Sequence, residues 1–170
     1  MKDSLVIRDL AEADVPAFFT LLQDKAVFDG CPDALRATEA SVRAALFGPM
    51  PMTRALVAVV DDELVGIATY YPIFSTFLMQ PGLWLDDLYL DPAQRGKGIG
   101  RAMMRQLCAI ASNQGCARVD WAVASQNREG QQFYTRLGAA ISDQLQLCRL
   151  DAAAIDRLAI EQAASNPVVC

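Results

Sequence analysis

The stretch DPAQRGKGIGRAMMRQL, residues 91–107, joins a glycine-rich loop to the start of an amphipathic helix. Glycine stands at positions 96, 98 and 100, and Arg95 and Lys97 place positive charge beside them. Apolar residues then recur at helical spacing, which predicts a helix over 99–113 that ends before Gly115. Backbone N–H groups at a helix N-terminus attract anions, and glycine lets a ligand approach them closely. The stretch therefore predicts a phosphate-binding loop.

Two common phosphate-binding patterns do not match this loop. The GxxxxGK[ST] pattern requires Ser or Thr after its lysine, whereas Gly98 follows Lys97. The dinucleotide pattern GxGxxG requires a third glycine where Arg101 stands. The phosphorylated ligand is therefore expected to be bound by neither a P-loop nor a Rossmann fingerprint.

The remaining sequence alternates between strand and helix patterns. Period-two segments and turn residues predict strands at 4–10, in a hairpin over 54–73 with its turn at Asp61–Asp62, at 83–91 between Pro81–Gly82 and Pro92, at 117–123 and at 144–150. Helical spacing predicts helices at 11–28, from the N-cap Thr38 to Gly48, at 99–113, at 128–138 and at 152–164. With no internal linker, this order predicts one α+β domain over 1–170.

Composition narrows the function classes. The net charge is −5, which argues against a nucleic-acid partner, and the apolar runs are too short to span a membrane. The five cysteines are odd in number and form no CxxC pair, so reduced thiols in the cytoplasm are expected. The chain has no histidine, which excludes Ser-His-Asp catalysis and HExxH zinc sites, and no metal is expected.

The string Arg95-Gly96-Lys97-Gly98-Ile99-Gly100 resembles the (R/Q)xxGx(G/A) signature of the GNAT superfamily of N-acetyltransferases. The preceding LDDLYLDPAQ and the later QNREGQQFYTRLGA are also similar, so the resemblance runs from IRDL to CRLD. Residues 70–100, YYPIFSTFLMQPGLWLDDLYLDPAQRGKGIG, resemble the diamine or polyamine acetyltransferase branch. The resemblance implies a GNAT fold: one splayed, mixed, mostly antiparallel sheet of about seven strands flanked by four to five helices. It also implies acetyl-CoA as cosubstrate, a primary amine as acceptor and a homodimer.

The resemblance also assigns cofactor contacts. The CoA pyrophosphate is expected on the loop amides, and pantetheine beside the strand end from Leu88 to Leu90. The amide of Leu88 is expected to stabilise the oxyanion of acyl transfer. The expected cofactor-binding residues are Leu88, Tyr89, Leu90, Arg95, Gly96, Lys97, Gly98, Ile99, Gly100, Arg101, Asn127 and Tyr134. Asn127 also suits an N-cap of the following helix, and the two roles are compatible.

Catalytic and acceptor roles follow from the same resemblance. Tyr134 is expected to protonate the CoA thiolate, the alternative being simple packing. Asp86 is expected to act as the base and Asp87 as the substrate carboxylate, although the two roles could be reversed. Because neighbouring strand residues point to opposite faces, the pair cannot form a close dyad; the alternative is two solvated aspartates. Phe74 and Trp84 are expected to line the acceptor pocket.

Three functions remain open at this stage. The first is transfer of acetyl directly to a small cationic amine, such as a diamine, a polyamine or a lysine-like amino acid. Gln126 and Leu145 depart from the diamine-enzyme pattern, which leaves the acceptor open. The second is acetylation of a protein lysine or N-terminus, and the third is a catalytically silent CoA sensor.

Overall fold

The computed structural model describes residues 4–165. The chain divides into two compact units, Met1–Ala122 and Val123–Cys170. Among the described residues, the first unit contains the sheet and three α-helices, and the second contains two α-helices. The single domain over 1–170 stays a prediction.

The sheet of the first unit has five strands in the order of the chain. They are β1 (Leu5–Asp9), β2 (Arg54–Val60), β3 (Glu63–Ser75), β4 (Gln80–Leu90) and β5 (Val119–Asp120). The first four pair antiparallel, and β5 pairs parallel to β4. This confirms a mixed, mostly antiparallel sheet, with five strands among residues 4–165 where about seven were expected.

The helices of the first unit are α1 (Val15–Phe28), α2 (Glu39–Phe47) and α3 (Ile99–Asn113); those of the second are α4 (Arg128–Arg136) and α5 (Ala152–Ser165). The bounds predicted for α3 are confirmed. Thr38 caps α2 as predicted, because its Oγ1 accepts a 3.2 Å hydrogen bond from the Ser41 amide. The hairpin turn is also confirmed, with φ of 48° at Asp61 and 67° at Asp62.

Two strand predictions are wrong. Residues 144–150 form no strand in the structure, and the side chains of Leu145 and Leu147 are 79% and 68% exposed. Alternation alone does not make a strand, because the backbone also needs a neighbouring strand to pair with. The Pro81–Gly82 boundary fails because both residues lie inside β4, where Gly82 lets Arg118 pack closely: a Cβ on Gly82 would lie 3.1 Å from the Arg118 carbonyl oxygen.

Helices cover both faces of the sheet. On one face, α1 packs Val15, Phe18 and Leu21 against a cluster that includes Ile67 and Tyr89. The buried residues of α3 lie outside that cluster, and α3 contacts β1, β2 and β4, so we infer that it covers the other face. Of its four predicted inward residues, Met103 and Leu107 are buried, while Ala102 and Ile110 are half-buried. The end of β4 therefore lies between α1 and α3.

Candidate functional site

The loop from β4 to α3 turns through left-handed backbone. The Asp91 amide donates to the Val65 carbonyl at 2.9 Å, and the Asp91 carboxylate accepts from the Ala93 amide at 2.8 Å. Gly96 and Gly98 then have φ of 77° and 84°. A Cβ on either glycine would meet no atom within 4 Å, so backbone conformation, not crowding, favours glycine there.

The N-terminus of α3 lacks a side-chain cap. Gly98 is the N-cap residue, and the Ala102 amide makes a 3.0 Å bond to its carbonyl. The amides of residues 99–101 lie before Ala102 in the helix, so no helical carbonyl one turn earlier is there to accept their hydrogen bonds. The helix dipole adds partial positive charge at this end. These amides, beside open space above Gly96 and Gly98, fit a phosphate group.

One edge of β4 is open next to this loop. Within residues 4–122, β5 pairs with β4 only at Leu83 and Trp84, so the same edge from 85 to 90 has no strand partner there. Backbone groups alternate in direction along a strand, and the Asp91 amide points to β3. The amides of Leu88 and Leu90 therefore point to the open edge, where the Leu90 carbonyl also accepts from Arg95.

Arg95 makes contacts that the sequence analysis did not anticipate. Its guanidinium carbon lies 4.6 Å from the ring centre of Phe28 and 5.5 Å from that of Tyr89. Its Nε donates to the Leu90 carbonyl at 3.3 Å. Lys97 donates to Gln94 at 2.8 Å. In this structure Arg95 thus joins the end of α1 to the end of β4.

Asp86 occupies a β-bulge. Thr69 is opposite Asp87 and Tyr70 is opposite Leu85, so Asp86 has no partner on β3. Its carboxylate is exposed and accepts from the Trp84 indole at 3.2 Å. Burial and then the Asp86 charge raise the pKa of Tyr71, which is opposite Trp84.

The structure therefore brings Trp84, Asp86 and Tyr71 together. Phe74 is farther along β3, opposite Pro81, and its side chain is exposed. Of the two aromatic residues predicted for the acceptor pocket, Trp84 is thus the one in contact with a predicted catalytic carboxylate.

Asp87 has a different environment. Its Oδ1 lies 2.9 Å from the ammonium of Lys25, which also pairs with Asp29, and its Oδ2 accepts from the Thr69 hydroxyl at 2.7 Å. Burial alone would lower the pKa of Lys25, but its bonds to Asp29 and Asp87 outweigh this and hold it above its ordinary value. Sequence reasoning missed Lys25, because a lysine in an amphipathic helix normally faces solvent.

Asn127 and Tyr134 belong to the second unit. The Asn127 side chain caps α4, since its Oδ1 accepts from the Gly130 amide at 2.9 Å. Tyr134 lies in α4, where its ring packs edge-on to Phe133 with ring centres 5.1 Å apart. The capping role considered for Asn127 is confirmed, and the cofactor roles of both residues stay predictions.

Comparison with known proteins identifies the family. Residues 14–139 match the model described as the Acetyltransferase (GNAT) family. The chain belongs to this family. The match includes β4, the glycine loop and α4, and it confirms the predicted enzyme class, an N-acetyltransferase.

The GNAT chain is similar to several named relatives. It is 29% identical to the thialysine N-epsilon-acetyltransferase of Sus scrofa over 80% of this chain and 84% of that protein. It is 30% identical to the human spermidine/spermine N(1)-acetyltransferase-like protein 1 over 81% of this chain and 21% of that protein. A solved integron cassette protein from V. cholerae has a TM-score of 0.75 at 25% identity, covering 92% of this chain and 98% of that one.

Residues 4–165 contain neither a membrane-spanning helix nor a metal-binding cluster. None of the helices described there is long and apolar enough to cross a membrane. No group of three or more Cys, Asp or Glu side chains in that part of the chain is arranged to hold a metal ion.

Replacing Arg95 with Met tests its contacts. We expect the free energy of unfolding without CoA to fall by about 1–2 kcal/mol, because the ring contacts and the bond to Leu90 are lost. Urea denaturation measures this change. Arg101→Met, at an exposed position of α3, is the control and should change stability by less than about 0.5 kcal/mol. Equal stability of the Arg95→Met and unmodified chains would contradict the structural role.

Proposed function

We propose that this GNAT enzyme transfers the acetyl group of acetyl-CoA directly to the primary amine of a small cationic acceptor. The acceptor classes are diamines, polyamines and lysine-like amino acids. The observation that carries the proposal is the uncapped N-terminus of α3 beside the open edge of β4. The names of the relatives, which include thialysine and spermidine/spermine acetyltransferases, support the acceptor class.

The cofactor would be held by backbone groups. The amides of residues 96–100 would bind the CoA diphosphate, because the start of α3 has no side-chain cap and the helix dipole favours an anion there. The open edge at Leu88–Leu90 suits the amide groups of pantetheine, as an added strand would. Acetyl-CoA supplies the activated acyl group, and the Leu88 amide points to the side where it could stabilise an oxyanion.

Proton transfers would use side chains. The acceptor arrives as an alkylammonium with a pKa of about 10 and must lose a proton before it can react. Asp86 is the proposed base because its carboxylate is exposed, and its bond to Trp84 leaves it acceptor capacity. Tyr134 is the proposed donor to the departing thiolate, an assignment supported by its place in QQFYTRLG.

We also propose that the enzyme is a cytoplasmic homodimer. Leu145, Leu147, Leu150, Ile155 and Leu158 are all more than half exposed in the second unit. If these side chains form one contiguous surface, it would suit a protein interface. Cys31, Cys108, Cys116 and Cys148 are free thiols in the structure, which suits a reducing compartment.

Acetyl-CoA consumption across a panel of acceptors tests the main proposal. We expect turnover with diamines or side-chain amines of free amino acids, and much lower turnover with lysine peptides and with peptides bearing a free N-terminus. Activity on peptides alone would contradict the small-molecule acceptor, while calorimetric binding of CoA without any transfer would indicate a sensor.

Gly98→Asn tests the phosphate site. Asn tolerates left-handed backbone better than other non-glycine residues, so the chain should fold, but its side chain would enter the space above the loop. We expect CoA affinity, measured by calorimetry, to fall about tenfold or more. Gly115→Asn is the matched control, since Gly115 also has positive φ and open space at its Cβ. Equal affinity in the two variants would mean that the phosphates bind elsewhere.

Tyr134→Phe tests the proposed acid. We expect kcat to fall about a hundredfold while CoA affinity persists, because the substitution removes only the phenolic hydroxyl, which is the proposed proton donor. Steady-state kinetics and calorimetry measure the two effects. Phe133→Leu, which alters the neighbouring ring contact, should not reproduce the fall in kcat. An unchanged kcat in Tyr134→Phe would exclude Tyr134 as the proton donor.

A further inference from the structure

The ion pair between α1 and β4 has a consequence for the choice of acceptor. Lys25 and Asp87 are each 20% exposed, and their side chains meet at 2.9 Å. Asp29 binds the same ammonium from the residue after α1. A primary alkylammonium is thus already held between two carboxylates, and it belongs to the protein itself.

Both oxygens of Asp87 are engaged. Oδ1 faces Lys25 and Oδ2 accepts from the hydroxyl of the buried Thr69. A carboxylate has further lone pairs, but an incoming ammonium would have to approach beside the fixed positive charge of Lys25. The incoming ammonium and the Lys25 ammonium would repel each other, and this repulsion is stronger where solvent is partly excluded.

The neighbouring Asp86 is different. Its carboxylate is exposed on the bulge and accepts a hydrogen bond from the neutral indole of Trp84. Among the described residues, no ion pair to Asp86 competes with an incoming cation. The bulge therefore separates two adjacent aspartates into one carboxylate that accepts a new cation and one that is already neutralised.

We propose that Lys25 is a specificity-determining residue that occupies the second ammonium position at Asp87 and Asp29. This inference rests on the proposed function and narrows it. The preferred acceptor carries one reacting amine and no further unpaired ammonium near Asp87, as in a monoamine, or in a lysine-like amino acid whose α-ammonium lies next to its own carboxylate. Diamines and polyamines are disfavoured because their distal ammonium meets Lys25.

A matched pair of acceptors tests the proposal: 1-aminobutane and 1,4-diaminobutane, which differ by the distal ammonium. The measured quantity is the ratio of kcat/KM for the diamine to kcat/KM for the monoamine, taken within each variant. An effect of a substitution on folding or on acetyl-CoA binding changes both values and cancels. In Lys25→Met we expect this ratio to rise about tenfold or more, which corresponds to about 1.4 kcal/mol.

Three further variants make the result specific. In Lys25→Arg, which keeps the cation, the ratio should stay near that of the unmodified enzyme. In Lys25→Met combined with Asp87→Asn, one of the two freed carboxylates is removed and only Asp29 remains, so the gain for the diamine should be clearly smaller than in Lys25→Met. If Lys25→Met does not fold, Lys25→Gln serves instead, because its neutral amide still donates to Asp87.

The possible results separate this inference from the proposed function. An unchanged ratio in the folded Lys25 variant, or an equal gain in the double variant, would overturn the role of Lys25 while leaving the acetyltransferase intact. Turnover of no small amine by the unmodified enzyme, with CoA binding preserved, would contradict the proposed acceptor class and this inference with it.

Discussion

The left-handed backbone at Gly96 and Gly98 is the constraint on which the site depends. It turns the chain from the end of β4 into α3 and leaves the first amides of the helix without a side-chain cap. A glycine N-cap typically makes a helix less stable than a Ser, Asp or Asn cap by only about a few tenths of a kcal/mol, so the uncapped start costs this helix little. Its buried residues, among them Met103 and Leu107, offset that small cost by packing under the sheet. Apolar packing thus fixes the helix in place, and its N-terminus stays available for an anion.

Sequence reasoning succeeded where a local pattern decides the structure. The bounds of α3, the Thr38 cap and the Asp61–Asp62 turn each depend on residues within a few positions of one another. It failed at 144–150, where alternation suggested a strand but strand formation also requires a partner. Gly82, which looked like a strand boundary, instead lies inside β4 and lets the backbone of Arg118 pack closely against it.

In the candidate site, too, some features follow from a local sequence pattern and others form only in the folded chain. The glycine loop could be read from spacing, and the signature around it pointed to the family that the comparisons confirm. The bulge at Asp86 could not be predicted from the sequence, because a bulge is a mismatch in the pairing of two strands and neither strand's sequence shows it by itself. Lys25 escaped notice for a related reason: its partner Asp87 is distant in sequence and meets it only in the folded chain.

The last turn of α1 links Asp87 to the glycine loop, the proposed acceptor and cofactor sides of the first unit. Lys25 holds Asp87, and Phe28, three residues later on the same helix face, contacts Tyr89 and the Arg95 guanidinium. Alternation places Asp87 and Tyr89 on the same face of β4, so one helix turn contacts two successive inward residues of that strand. Arg95 in turn bonds to Leu90, whose backbone lies at the open edge. A shift of α1 would therefore displace the neutralised carboxylate and the start of the glycine loop together, and in the proposed enzyme this would couple the acceptor position to the cofactor position.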